Sequence, residues 1–321
     1  MTLGNNSIIT EFILPGLSAD PHIQVLLFVL FLAIYLMTMK GNLMMPLVIK
    51  VDSHLLSPMY FFLSHLSFID FCLSSVTVPK ILENLLSQRI SISVERCLTQ
   101  VFFVFATGGT EACLLSVMAY DRYVAICHPL IYRKIMSKQL CGGLVWASWG
   151  LGSLDALINI LLAWNLDFCK AHVMPHFSCE LPSLFSLSCS DVSTNFAVMI
   201  CSAILHALGT LLLIFFSYAR IISTILSISS TIGRSKAFST CSSHLIAVSF
   251  FYGSAFLCYL MPTLSSSLEF VFSTQYSVVT PLVNPLVYSL KNKEIKAALK
   301  RMLQKGFTVT QIAENRQRMN G

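Results

Sequence analysis

Charged residues are scarce in this chain: only 11% of its 321 residues are Asp, Glu, Lys or Arg. Hydrophobic residues make up 55% of it, and the mean hydropathy is +0.73. A soluble globular domain usually carries about 25% charged residues, so the composition excludes that class and indicates an integral membrane protein. The net charge of +6 gives no support for nucleic-acid binding, because such proteins cluster basic residues on a soluble fold.

Three further features are missing from the sequence. The N-terminal segment has no signal-peptide cleavage pattern, so we expect the first apolar run to direct membrane insertion. No pair of similar halves with broken helices is present, which argues against a transporter. An intramembrane enzyme needs a nucleophile with a base, or a metal cluster. No histidine cluster accompanies the one intramembrane acid pair that we identify, Asp70 and Glu111.

Long apolar runs are abundant instead. A membrane span needs roughly 20 apolar residues; six segments meet this readily, and a seventh is more polar and holds two prolines. Lys and Arg concentrate after the odd-numbered segments, which places the N-terminus outside and the C-terminus in the cytosol. That orientation requires an odd number of spans, hence seven. The predicted regions are an outer N-terminus (1–23), spans one to seven (24–49, 58–78, 97–119, 140–164, 196–226, 237–261 and 270–290, together 24–290) and a cytoplasmic tail (291–321).

Several sequence strings lie at the ends of these spans. They are SPMYFFLSHLSFID (57–70), MAYDRYVAIC (118–127), SYARII (217–222), KAFSTCSSHL (236–245) and PLVNPLVYSL (281–290). They closely resemble the signatures of olfactory receptors of the tetrapod-type class II, a branch of the rhodopsin-like G-protein-coupled receptors. Tyr252 stands where most rhodopsin-like receptors have Trp, a substitution typical of this branch.

The resemblance implies a fold and a function. The fold is an all-α seven-transmembrane helix bundle with its N-terminus outside and a short amphipathic eighth helix on the inner leaflet. The function is that of an odorant receptor, which binds small, volatile, weakly polar ligands within the bundle and activates a stimulatory olfactory-type G protein to raise cyclic AMP. Membrane lipids and trafficking chaperones are expected partners, and the plasma membrane of olfactory cilia is the expected location. A receptor of the same branch that senses a metabolite outside the nose is the alternative, which the residues do not separate.

The resemblance also implies a ligand pocket between spans three, five, six and seven. Its lining is apolar with a few hydroxyls, which suits a small weakly polar ligand, and Val104 stands where amine receptors carry an aspartate. Gly108 and Gly109 either leave extra room or allow close helix packing, and His206 or Tyr259 is expected to orient an oxygen-bearing odorant. The implied pocket residues are Val104, Phe105, Gly108, Gly109, Ser202, Ala203, His206, Ala255, Phe256, Tyr259, Thr274 and Ser277.

A conformational switch is implied at the cytoplasmic end. Tyr218 is expected to reach Arg122 when span six swings outward, whereas His244 is expected to hold the closed form near Asp121 and Arg122, as a bistable device requires. The implied switch residues are Asp121, Arg122, Tyr123, Tyr218, His244, Tyr252, Asn284, Pro285 and Tyr288.

Buried charge is expected in the middle of the bundle. The family pattern brings Asp70, Glu111 and Asn284 together, and two interpretations stay open: the two acids share a proton, or their oxygens hold a sodium ion, the only cofactor considered. Lys40, within span one, departs from the family; we expect it to snorkel or to face the bundle.

Four cysteines fall on the predicted outer side, where disulfides form. The sequence alone permits three pairings of four cysteines, and the resemblance implies Cys97–Cys179 and Cys169–Cys189. Asn5 begins an N-glycosylation sequon in the outer N-terminus.

Overall fold

A computed structural model describes residues 10–14, 17, 20–87, 91–169, 173–174, 178–260, 274–302 and 304, and within these ranges all side chains except those of residues 236, 240, 255–260, 290 and 291. Asn5 and the side chains of Ala255, Phe256 and Tyr259, which the sequence places at functional positions, therefore lie outside the described residues.

Long α-helices form most of the described chain. In order they are α1 (Pro21–Val51), α2 (Pro58–Leu86), α3 (Val94–Cys127), α4 (Tyr132–Ile135), α5 (Lys138–Trp164), α6 (Leu181–Leu187), α7 (Ser193–Ala203), α8 (Gly209–Ser227), α9 (Thr231–Leu260) and α10 (Thr280–Lys291). A π-helical segment, Ile204–Leu208, joins α7 to α8, and a second, Gln275–Val279, precedes α10. Residues 293–302 are also helical.

A described helix overlaps each of the seven predicted spans. Spans one to four correspond to α1, α2, α3 and α5, span five to α7 with its π segment and α8, span six to α9, and span seven to the second π segment with α10. Within the described ranges, five helical segments are long and apolar enough to cross a membrane, those of spans one to five. The helices are longer than the apolar runs that predict them. For example, α3 continues eight residues beyond 119, to Cys127, because the backbone hydrogen bonds of the helix continue into residues that are less hydrophobic.

Capping residues define several helix starts. Asp20 accepts a hydrogen bond from the His22 amide at 2.8 Å just before Pro21, the first residue of α1. Ser93 and Ser137 cap α3 and α5 in the same way. A side-chain acceptor at this position satisfies one of the amides that a helix start leaves without a partner, and proline loses nothing there.

One end of the bundle, called here the disulfide end, is closed by a two-stranded sheet and two disulfides. Strands β1 (Glu11–Ile13) and β2 (Ser91–Ser93) pair antiparallel. A bond between Cys97 and Cys179 fastens the segment before α6 to the start of α3, and a second bond, Cys169–Cys189, links the chain before α6 to the chain after it. A separate apolar cluster packs beneath these links, so the long loop between spans four and five is folded over the bundle.

The largest apolar cluster lies toward the opposite end, called here the Arg122 end. It joins residues of all seven spans and the helix at 293–302. That helix starts where the Asn292 side chain accepts from the amides of Glu294 and Ile295, and it buries Ile295 and Ala298 against the bundle. Lys40 is exposed on the surface of α1, so it does not face the bundle, which was one of the two expectations for it.

Candidate functional site

A buried polar centre joins spans two, three and seven. The Asn284 amide nitrogen donates to both Asp70 carboxylate oxygens, at 3.2 and 3.1 Å, and lies 3.3 Å from Glu111 Oε1. All three side chains are at most 2% exposed. The structure thus brings together the three residues that the sequence analysis grouped, and each carboxylate depends on one shared amide.

Four oxygens beside this centre have no hydrogen-bond partner among the described residues. They are Glu111 Oε2, Asn284 Oδ1, Ser74 Oγ and Tyr288 Oη. Ser74 lies one turn from Asp70 toward the disulfide end of α2, whereas Tyr288 lies one turn from Asn284 toward the Arg122 end of α10, so these two oxygens lie on opposite sides of the centre. Buried polar atoms without partners are uncommon, and oxygen is the ligand that hard cations prefer. Glu111 Oε2 and Asn284 Oδ1, together with the Asp70 carboxylate, therefore fit a small hard cation such as sodium.

The Arg122 end holds an ion pair and a separate tyrosine–histidine pair. Arg122 is paired with Asp121 of the same helix, Arg122 Nε lying 3.0 Å from the carboxylate, and the Tyr132 hydroxyl donates to the other Asp121 oxygen at 2.7 Å. All three groups are partnered within this end of the bundle. Tyr123 bonds to His128 at 3.0 Å instead, so the structure does not bring it into the ion pair.

Span six is fastened at this end through His244. Its Nδ1 lies 2.8 Å from the Tyr218 hydroxyl, the two rings are stacked, and its Nε2 lies 3.0 Å from the Leu115 carbonyl of α3. His244 is 1% exposed. Tyr218 is therefore bonded to His244, while Arg122 is bonded to Asp121, and span six is held against spans three and five.

Closer to the disulfide end, span six is bonded to span five a second time. The Tyr252 hydroxyl hydrogen-bonds to Thr210 at the start of α8, and the Thr210 hydroxyl also bonds to the His206 carbonyl. Pro285 of the switch set lies in α10, where it approaches Gly41 so closely that a Cβ on the glycine would meet its ring at 3.2 Å.

The two glycines of α3 are points of close approach. A Cβ on Gly108 would lie 2.6 Å from the Tyr276 hydroxyl of span seven, and one on Gly109 would lie 3.1 Å from the Gly152 Cα and 3.5 Å from the His206 ring. Of the two roles expected for these glycines, the structure favours close packing, because neighbouring groups already occupy the space.

The remaining predicted pocket residues are not all in one place. Val104 and Phe105 are half-buried, and Phe105 packs against the cluster at the disulfide end. Thr274 is half-buried and Ser277 is buried, with the Ser277 carbonyl 3.5 Å from the Thr77 hydroxyl of span two. Ser202 is buried but Ala203 is exposed, because successive helix positions point about 100° apart. The structure thus does not place Ala203 beside Ser202 in the bundle interior.

Two residues of span four were missed by the sequence analysis. Asp155 lies beside Ser202 and His206 of span five, and Asn159 bonds to Ser202 at 3.3 Å. The signal was available, since an acidic residue inside an apolar run indicates a functional position.

Comparison with known proteins gives consistent results. A family profile described as olfactory receptor matches residues 31–306. Olfactory receptor 8S1 of Homo sapiens is 67% identical over 92% of this chain and 82% of its own length, and olfactory receptor 1 of Rattus norvegicus is 47% identical over 95% and 98%. Among solved structures, squid rhodopsin matches with a TM-score of 0.70 and 18% identity, over 88% of this chain and 81% of its own, which shows a shared seven-helix fold.

Proposed function

We propose a specific activity from the premise that this chain belongs to the olfactory receptor family and is a multi-pass, seven-helix G-protein-coupled receptor rather than an enzyme. It binds a small, volatile, weakly polar odorant within the bundle and activates a stimulatory olfactory-type G protein, which raises cyclic AMP. Its N-terminus lies outside, its C-terminal helix lies on the inner leaflet, and it acts in the plasma membrane of olfactory cilia, which it reaches with trafficking chaperones.

The observation that carries the proposal is the closed state of the Arg122 end. Arg122 is bonded to Asp121, and Tyr218 is bonded to His244, so the two groups expected to meet in the active form are each held by another partner. A ligand that binds more tightly when span six is displaced shifts the population toward that arrangement. The displacement frees Tyr218 to approach Arg122 and opens a cleft for the G protein.

Cyclic AMP accumulation tests this function. Cells expressing the chain with an olfactory-type G protein and a trafficking chaperone are exposed to a chemically broad odorant panel, with surface staining of the receptor in parallel. We expect a concentration-dependent rise that Arg122→Ala abolishes while surface staining persists. A full response from Arg122→Ala, or silence of the wild type despite normal surface staining, contradicts the proposal.

For the buried centre we propose a bound sodium ion in the resting state. The partnerless oxygens of Glu111 and Asn284, together with the Asp70 carboxylate, would supply its ligands, and its single positive charge would offset part of the negative charge of the two carboxylates. Replacing Glu111 by Gln removes one negative charge with little change in shape, so we expect activation by an agonist to lose its dependence on sodium concentration. An unchanged sodium response in Glu111→Gln would favour a proton shared between the acids.

A further inference from the structure

A second polar cluster joins span four to span five. Asp155 of α5 accepts a hydrogen bond from the Ser202 hydroxyl, and Asn159, one turn further along α5, lies 3.4 Å from the same Asp155 oxygen and 3.3 Å from Ser202. The other Asp155 oxygen lies 3.6 Å from His206 Nδ1. Asp155 and His206 side chains are 17% and 21% exposed. A carboxylate at this depth is costly, and each of its two oxygens lies near a polar group.

The two oxygens of Asp155 have different partners. Oδ1 faces Ser202 and Asn159, both buried, and this half of the cluster clamps the two helices together. Oδ2 faces His206, which is less buried. The Oδ1 contacts alone would hold the two helices together, so the approach of Oδ2 to His206 requires a separate explanation.

The two nitrogens of His206 are in different surroundings. Nδ1 lies 3.1 Å from the Ser202 carbonyl and 3.6 Å from Asp155 Oδ2. Both neighbours are acceptors, so in the neutral imidazole Nδ1 carries the proton and Nε2 is left as an acceptor. No described residue hydrogen-bonds to Nε2. Its edge of the ring points at α3, where a Cβ on Gly109 would lie 3.5 Å from it.

The backbone around His206 places the ring there. His206 is the middle residue of the π segment Ile204–Leu208, and such single wide turns occur frequently at functional sites. The wide turn and the missing side chain at Gly109 together bring the imidazole edge against span three, inside the bundle.

We infer that Asp155 and His206 form a hydroxyl-selective element of the ligand site: Nε2 accepts a hydrogen bond from a neutral alcohol or phenol, and Asp155 is the positioning residue that fixes the imidazole. This inference rests on the proposed odorant-binding function and specifies its ligand class. Ethers and esters have no proton to donate to Nε2. Ionised carboxylic acids are disfavoured because their charge would lie near that of Asp155 in a medium that screens poorly.

Matched ligand pairs test the inference. The probes are primary alkanols against methyl ethers of the same chain length, and phenols against the corresponding anisoles, with potency read as cyclic AMP. One neutral hydrogen bond corresponds to about a fivefold difference, so we expect the hydroxyl member to be about fivefold more potent on the wild type. The potency ratio within a pair does not depend on how much receptor reaches the surface.

Variants separate ligand selection from clamping. His206→Phe removes the acceptor and should bring the ratio to about one, and Asp155→Asn should reduce it by releasing the imidazole. If His206→Phe is absent from the surface, His206→Gln replaces it, since its amide donates to an ether as readily as it accepts from a hydroxyl. Asn159→Ala is the matched control: it touches only the clamp half of the cluster and should keep the ratio.

The outcomes distinguish this inference from the proposed function. Hydroxyl preference that is lost in the His206 variant and kept in Asn159→Ala supports it. Equal potency within pairs on the wild type, or a hydroxyl preference that survives loss of the imidazole, overturns the inference about His206 but leaves the proposed odorant-receptor function standing. Silence of the whole panel with normal surface staining overturns both.

Discussion

Replacing His244 by Ala should make the receptor active without a ligand. In the closed arrangement His244 bonds both to Tyr218 and to the Leu115 carbonyl, and displacement of span six breaks both bonds. Each buried hydrogen bond contributes about 1 kcal/mol net, so the variant loses about 2 kcal/mol of preference for the closed state. This is roughly a 30-fold change in the ratio of active to resting receptor, from an active fraction of about 1% to about one quarter.

Basal cyclic AMP per receptor at the cell surface measures this change. We expect a clear rise in basal signal and a smaller further response to agonist, because part of the population is already active. His65→Ala serves as control: the His65 ring is half-buried and packs edge-on against Phe61, so the variant should leave the basal signal near that of the wild type. Basal signalling at or below the wild-type level in His244→Ala, at equal surface amounts, would refute the closed-state role of His244.

Two further predictions concern stability. Gly152→Ala should lower thermal stability and surface delivery at a cost of about 1–3 kcal/mol in free energy of unfolding, because its Cβ would lie 2.7 Å from backbone atoms of α3 and force spans three and four apart. Gly150→Ala is the control and should be tolerated, since no described heavy atom of another helix lies within 4 Å of the added Cβ. Equal melting temperatures for the two variants would contradict the packing argument. Cys179→Ser removes the bond to Cys97 and should lower the free energy of unfolding by about 2–5 kcal/mol, which reduces the amount of receptor at the surface. Surface staining and ligand potency at the wild-type level would show that the bond is dispensable.

The positions of the helices could be predicted from the sequence, and their mutual contacts only in part. Apolar runs of span length locate the helices directly, as α1 and α5 show. Hydropathy does not report where a helix ends beyond the hydrocarbon, so the polar last turns of α3 to Cys127 were missed. Hydropathy also does not report a π segment, because an extra residue in one turn leaves the composition unchanged.

The candidate site shows the same division. Asp70, Glu111 and Asn284 could be grouped because the family pattern fixes their depths, and the structure places them within hydrogen-bonding distance. Asp155 was missed although it stands inside an apolar run. The direction in which the side chain of its neighbour His206 points depends on the helix rotation set by the π segment, and no sequence period predicts that rotation.

The contacts of span six suggest how a ligand near His206 reaches the Arg122 end. Thr210 bonds to the His206 carbonyl and to Tyr252, so the turn of span five that we infer to face the ligand is joined directly to the middle of span six. Tyr252 and His244 are eight residues apart, about 12 Å along a helix. We expect an outward swing of the Arg122 end of span six to break the His244 bonds, with the Tyr252 bond close to the axis of rotation. We therefore expect a small shift at His206 to act on span six near this axis, and to produce the largest displacement at the Arg122 end, where the His244 bonds that hold the closed state lie.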